Sequence, residues 1–101
     1  MKLIFSSVFE SDVAELSGYF FERGGKGVAD RFERALTDMV VMLDRNPELG
    51  RTRRELQPHG IRSFVLPGFR NYVLFYRIDG SDLIFLRLRF GGMDLPALFP
   101  H

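Results

Sequence analysis

The sequence predicts a small α+β domain in the order β-α-α-β-β-β, with an antiparallel C-terminal sheet packed on a helical hairpin. Three observations predict it. Two segments of the first half carry apolar residues at helical spacing, with GGKG (24–27) between them. Three apolar runs rich in β-branched and aromatic residues fill 61–90, each ended by a turn signal. The 101 residues suffice for one hydrophobic core but not for two ordinary domains, so 1–101 is read as a single domain.

KLIFS (2–6) is a short apolar segment with strand character. Ser7 and Glu10 follow with the Ser-x-x-Glu spacing of a capping box, in which each side chain satisfies the other's backbone N–H. Phe9, Val13, Leu16 and Phe20 recur as one stripe of an amphipathic helix over about residues 8–22. The glycines of GGKG end it, because glycine allows the turn that stops a helix. A second helix over about 28–44 carries Val28, Phe32, Ala35, Leu36, Met39, Val40 and Leu43 on its apolar side, and Asn46-Pro47 closes it. ELGRTRRELQPHG (48–60) is polar and basic and reads as a connecting loop. The strands IRSFVL (61–66), RNYVLFYRI (70–78) and SDLIFLRLRF (81–90) end in Pro67-Gly68, Asp79-Gly80 and Gly91-Gly92. In the last strand, strict alternation directs Leu86, Leu88 and Phe90 to the helices and Arg87 and Arg89 to the opposite side. Asp94 then starts a short C-terminal segment.

Composition excludes several classes of function. There is no cysteine, which removes disulfides and thiolate metal sites and fits a reducing compartment. His59 and His101 are the only histidines, so no metal site is expected, and no motif calls for a cofactor. GGKG lacks the preceding strand that a phosphate-cradling loop needs. His59, in a Pro-His-Gly loop, reads as a solvated turn residue. No signal peptide precedes the first structured segment, and no apolar run approaches the roughly 18–20 residues of a membrane span, so a cytoplasmic location without membrane contact is expected.

The net charge of +1 hides an asymmetry: residues 1–44 hold five Lys or Arg against eight acids, whereas 45–101 hold nine Arg against five. Arg62, Arg70, Arg77, Arg87 and Arg89 fall on or beside the three strands, with Arg53 and Arg54 entering from the loop. Together they form a candidate basic patch that would attract a polyanion or an acidic protein segment. The alternative is that each pairs separately with an acid such as Asp79, Asp82 or Asp94, and the residues alone leave both open.

ADRFERAL (29–36), NPELGR (46–51), GIRSFVL (60–66), NYVLFYRID (71–79) and LRLRFGGMDL (86–95), in this order and spacing, resemble the ParE branch of the RelE/ParE superfamily of type II toxins. The resemblance implies a compact βααβββ toxin that inhibits DNA gyrase by direct binding rather than acting as an enzyme. It also implies neutralisation by a cognate antitoxin, ParD-like or another small DNA-binding protein, without which direct nucleic-acid binding is not expected. The first alternative is a RelE-like, ribosome-dependent messenger RNA endoribonuclease. Against it, Val73 stands where such chains tend to place an arginine, and LPALFPH after Asp94 lacks their C-terminal tyrosine. The second alternative is a non-toxic, antitoxin-binding homologue, since Phe90 and Gly92 replace the histidine and arginine of a His-Gly-Arg run common in related chains. On this reading the basic patch faces the target. Tyr19 and Phe21, off the main helical stripe, are candidate antitoxin-binding residues unless they pack on a neighbouring element.

Overall fold

The computed structural model describes residues 1–92 and 99. Its elements are β1 (Lys2–Phe5), α1 (Ser7–Arg45), β2 (Arg51–Thr52), β3 (Ile61–Val65), β4 (Tyr72–Asp79) and β5 (Asp82–Phe90). The helix is capped by Ser6 rather than Ser7: the Ser6 hydroxyl accepts from the Phe9 N–H at 3.0 Å, satisfying one of the donors a helix start leaves open. The expected break in GGKG is confined to Gly25, whose φ of 77° and ψ of −172° only glycine adopts readily. There the chain reverses, and helical geometry resumes at once on either side. The two arms lie antiparallel, with Ser17 bonded to Glu33 and the Phe20 ring tilted against Phe32 at 5.1 Å. At the far end the Asn46 N–H closes the helix onto the Met42 carbonyl.

The sheet has the order β1-β5-β4-β3-β2, with β1 parallel to β5 and the other pairs antiparallel. The predicted meander is present. Arg51–Thr52, expected in a loop, forms a two-residue edge strand against β3. On the helix side the core joins Phe9, Phe20, Phe32, Met39 and Leu43 to Leu66, Leu74, Tyr76, Leu83, Phe85 and Leu88. On the other side Leu56, Ile61, Phe75 and Phe99 make a second, smaller core.

The β5 register corrects the expected alternation. Tyr76 pairs with Phe85 but Phe75 with Arg87, so Leu86 is an extra residue. Side chains swap faces across it: Phe85 and Leu88 both join the helix-side core, whereas Leu86 packs against the second core. Phe90 pairs with Tyr72 on the helix side but remains 48% exposed instead of entering the core. Met93, Asp94 and the remaining C-terminal residues expected to form a short segment lie outside the described residues, Phe99 excepted.

Candidate functional site

The end of β5 gathers the charged and aromatic residues that the sequence leaves unexplained. β1 stops at Phe5 and the chain turns into the helix at Ser6, so β5 beyond Phe85 has no strand on its outer edge. The first helical arm runs along that edge, and Ser6 Oγ donates to the Leu86 carbonyl at 3.1 Å. Six residues further along the helix stands Asp12, only 3% exposed. Its Oδ2 accepts from the Leu88 N–H at 3.0 Å, substituting for the missing neighbouring strand. The same carboxylate accepts from Arg87 Nε at 2.8 Å and Nη2 at 3.2 Å, and from Arg89 Nη1 at 3.3 Å. Glu15 adds a longer contact to Arg89 of 3.5 Å.

This changes the role of two predicted residues. Arg87 and Arg89 leave the strand on the face expected, since they pair with Phe75 and Val73. Their guanidinium groups, however, fold around the open edge to Asp12. A bidentate carboxylate removed from water is the partner a planar guanidinium matches best. Each keeps about 20% of its side chain exposed.

The other candidate arginines do not converge with them. Arg62 pairs with Tyr76 on the helix side, and its Nη1 donates to the carbonyls of Gly50 at 2.8 Å and Glu48 at 3.2 Å. Arg70 is exposed between β3 and β4. Arg77 leaves the opposite face beside Ile61 and reaches Asp79 at 3.4 Å. Strand alternation separates Arg62 from Arg77, β4 stands between Arg62 and β5, and register sets Arg77 opposite Ile84 rather than beside Arg87 and Arg89, so the five make no single patch.

Beside the Asp12 clamp, a cleft of about 380 Å³ is lined by Glu15, Leu16, Tyr19, Tyr72, Arg89 and Phe90. Tyr72 stacks edge-on against Phe90 at 5.9 Å and Phe20 at 5.3 Å. Burial pushes the Tyr72 phenol above its ordinary pKa, with Tyr19 adding to the shift and Arg23 opposing it. Tyr19 is 41% exposed, with the Arg23 guanidinium 4.9 Å from its ring centre. Phe21 is 57% exposed on the outer side of the hairpin. A Cβ on Gly92 would lie 2.8 Å from the Phe90 ring, so these two residues form one aromatic surface where a longer side chain at 92 would have to displace the ring.

Two further residues were not legible as functional. Asp12 follows Phe9 by three positions and so sits on the apolar stripe; a lone carboxylate there signals a buried cationic partner. Tyr76, inside an apolar strand, donates its hydroxyl to the Pro47 carbonyl at 2.7 Å and accepts from the Gly50 N–H at 2.8 Å. Burial pushes its pKa up. It thereby ties NPELG to the sheet, and a methyl at Gly50 would overlap the phenol. Among the described residues no group of three or more His, Asp or Glu could hold a metal, and no helix is long and apolar enough to cross a membrane.

The comparisons agree with this architecture. The family described as "ParE toxin of type II toxin-antitoxin system, parDE" matches residues 3–95. Toxin ParE3 of Caulobacter vibrioides is 33% identical over 76 residues, 75% of this chain and 72% of that protein. A structure titled "Chromosomal ParDE TA system from P. aeruginosa" superposes with a TM-score of 0.74 at 18% identity, covering 89% of this chain and 95% of that one; at that identity it shows the fold.

Proposed function

This chain belongs to the ParE toxin family of type II toxin–antitoxin systems, and on that premise we propose that it is neutralised by a cognate antitoxin and acts by binding DNA gyrase directly. The observation that carries a binding rather than a nuclease mechanism is the environment of β4 and β5. A phosphate-cleaving site needs cations aimed at developing charge. Here Val73, at the position where nuclease relatives tend to carry arginine, packs against the second core. Arg89, its cross-strand partner, and Arg87 beside it are held by Asp12. The adjoining surface is instead aromatic and partly exposed, as a protein-binding surface requires.

The target-facing surface is assigned to the end of β5, with the outer parts of Arg87 and Arg89 framing Phe90 and Arg70 contributing from its flank, whereas Arg77, paired with Ile84 toward the other end of β5, lies outside it. Arg62 serves it indirectly by holding the loop carbonyls. Charge reversal of Arg87 and Arg89 cannot separate recognition from folding, because it would set carboxylates against Asp12. Phe90→Ser with Arg70→Gln is the cleaner test. The variant should stay folded and lose growth arrest; full arrest would remove this surface from the proposal. Antitoxin binding is assigned to the exposed Tyr19 and Phe21. Serine at both positions should weaken binding to the cognate antitoxin, and unchanged affinity would place the antitoxin elsewhere.

A further inference from the structure

The β2 edge carries positive charge that neither the Asp12 clamp nor the aromatic cleft uses. Arg51 pairs with Ser63, and the Arg53 N–H donates to the Ile61 carbonyl at 2.9 Å. Thr52 between them therefore turns its own N–H and carbonyl away from the sheet. Arg51 and Arg54 are exposed, and among the described residues neither is in salt-bridge contact with a carboxylate, although Glu55 feels the charge of Arg51 at longer range. Arg53 stands behind them, fixed by Glu55 at 2.9 Å and by Ser63 Oγ at 3.2 Å. The charge of Arg62 is met on the helix side by backbone carbonyls and not by an acid. Next to this edge is a cleft lined by Thr52, Arg53, Arg54, His59, Gly60 and Ile61.

We propose that this rim, Arg51 and Arg54 with the outward Thr52 N–H, binds the phosphate backbone of duplex DNA independently of sequence. Guanidinium forks and an unpaired strand N–H are the donors that phosphate oxygens take. An acidic protein segment would meet the same charge, but protein interfaces take most of their energy from buried apolar or aromatic anchors. The cleft offers none: its one aliphatic lining residue, Ile61, is 1% exposed. Two or three guanidinium contacts bind weakly by themselves. The rim therefore adds to an encounter made elsewhere on the protein, which qualifies the expectation that nucleic acid is met only through the antitoxin.

The test is fluorescence anisotropy of a labelled duplex titrated with the antitoxin-free full chain, independent of any gyrase activity. Two or three phosphate contacts predict a slope of log affinity on log salt of about −2 to −3, so affinity falls about 10- to 40-fold between about 50 and 200 mM salt. Arg51→Gln with Arg54→Gln should make the slope shallower by about 2 without moving the thermal midpoint. Arg31→Gln with Arg34→Gln, exposed on the second helical arm, removes the same charge elsewhere and should leave the slope unchanged. Equal slopes for wild type and the rim variant, or an equal loss in the helix variant, would overturn the proposal. Rim-dependent capture of a polyglutamate peptide, with no DNA binding at low salt, would replace it with an acidic protein partner.

Discussion

Replacing Asp12 with alanine tests the charged clamp at the end of β5. The carboxylate is nearly inaccessible and accepts four hydrogen bonds, three from two guanidinium groups and one from the Leu88 N–H. Removing one partner of a buried ion pair costs about 3–5 kcal/mol. An abandoned buried N–H adds about 1–3 kcal/mol, and Leu88 is fully buried. The arginines, each about one-fifth exposed, recover part of this by turning to water. A net loss of about 3–5 kcal/mol follows, which lowers the melting temperature of a domain this size by about 12 °C or more. Asp12→Asn keeps an acceptor for Leu88 and should lose about half as much. Urea unfolding of the three proteins reads both numbers. Joint replacement of Asp12 by Leu and of Arg87 and Arg89 by Met should recover most of the loss, because an apolar set of similar size needs no desolvation of charge. An alanine variant within about 1 kcal/mol of wild type would refute the assignment, as surface ion pairs have that value.

Tyr76→Phe should cost about 2 kcal/mol in chemical denaturation, because it leaves the buried Gly50 N–H and the Pro47 carbonyl without their partner. The same phenol sets a pH dependence. Burial raises its folded-state value above its ordinary 10.0, so its contribution is complete below about pH 10 and is lost as pH rises through the folded-state value. Stability profiles in alkaline buffer should fall there for wild type and less steeply for Tyr76→Phe. Gly25→Ala should cost about 1–3 kcal/mol through backbone strain alone, since a Cβ at that position meets nothing within 4 Å. A thermal midpoint unchanged by that substitution would contradict the tight reversal. Gly92→Arg should expose the Phe90 ring and alter toxicity in a growth assay while leaving the fold intact, because Gly92 is exposed.

Much of the fold was written in the chain. The stripe from Phe9 to Phe20, the break at GGKG and the Asp79-Gly80 turn each specify local structure by short-range chemistry, and the structure has the hairpin and the meander they call for. What escaped depends on contacts between distant segments. The extra residue at Leu86 has no sequence mark, because a bulge is decided by pairing with β4 and not by propensity. Arg51–Thr52 is a strand only because β3 lies beside it. The arginine set was recognisable as a group of charges, but its partition was not, since Asp12 meets Arg87 across 75 positions of sequence. Tyr76 gave no sign beyond its place in an apolar run, where a phenol must find a partner if buried.

The proposal that this toxin acts on gyrase is tested most directly by incubating the antitoxin-free protein with purified gyrase, ATP and supercoiled plasmid, then denaturing the mixture and resolving the DNA. Linear plasmid covalently bound to gyrase, rising with toxin and suppressed by the antitoxin, is the predicted result. Normal supercoiling with no linear product, from protein whose fold and antitoxin binding are intact, would contradict it.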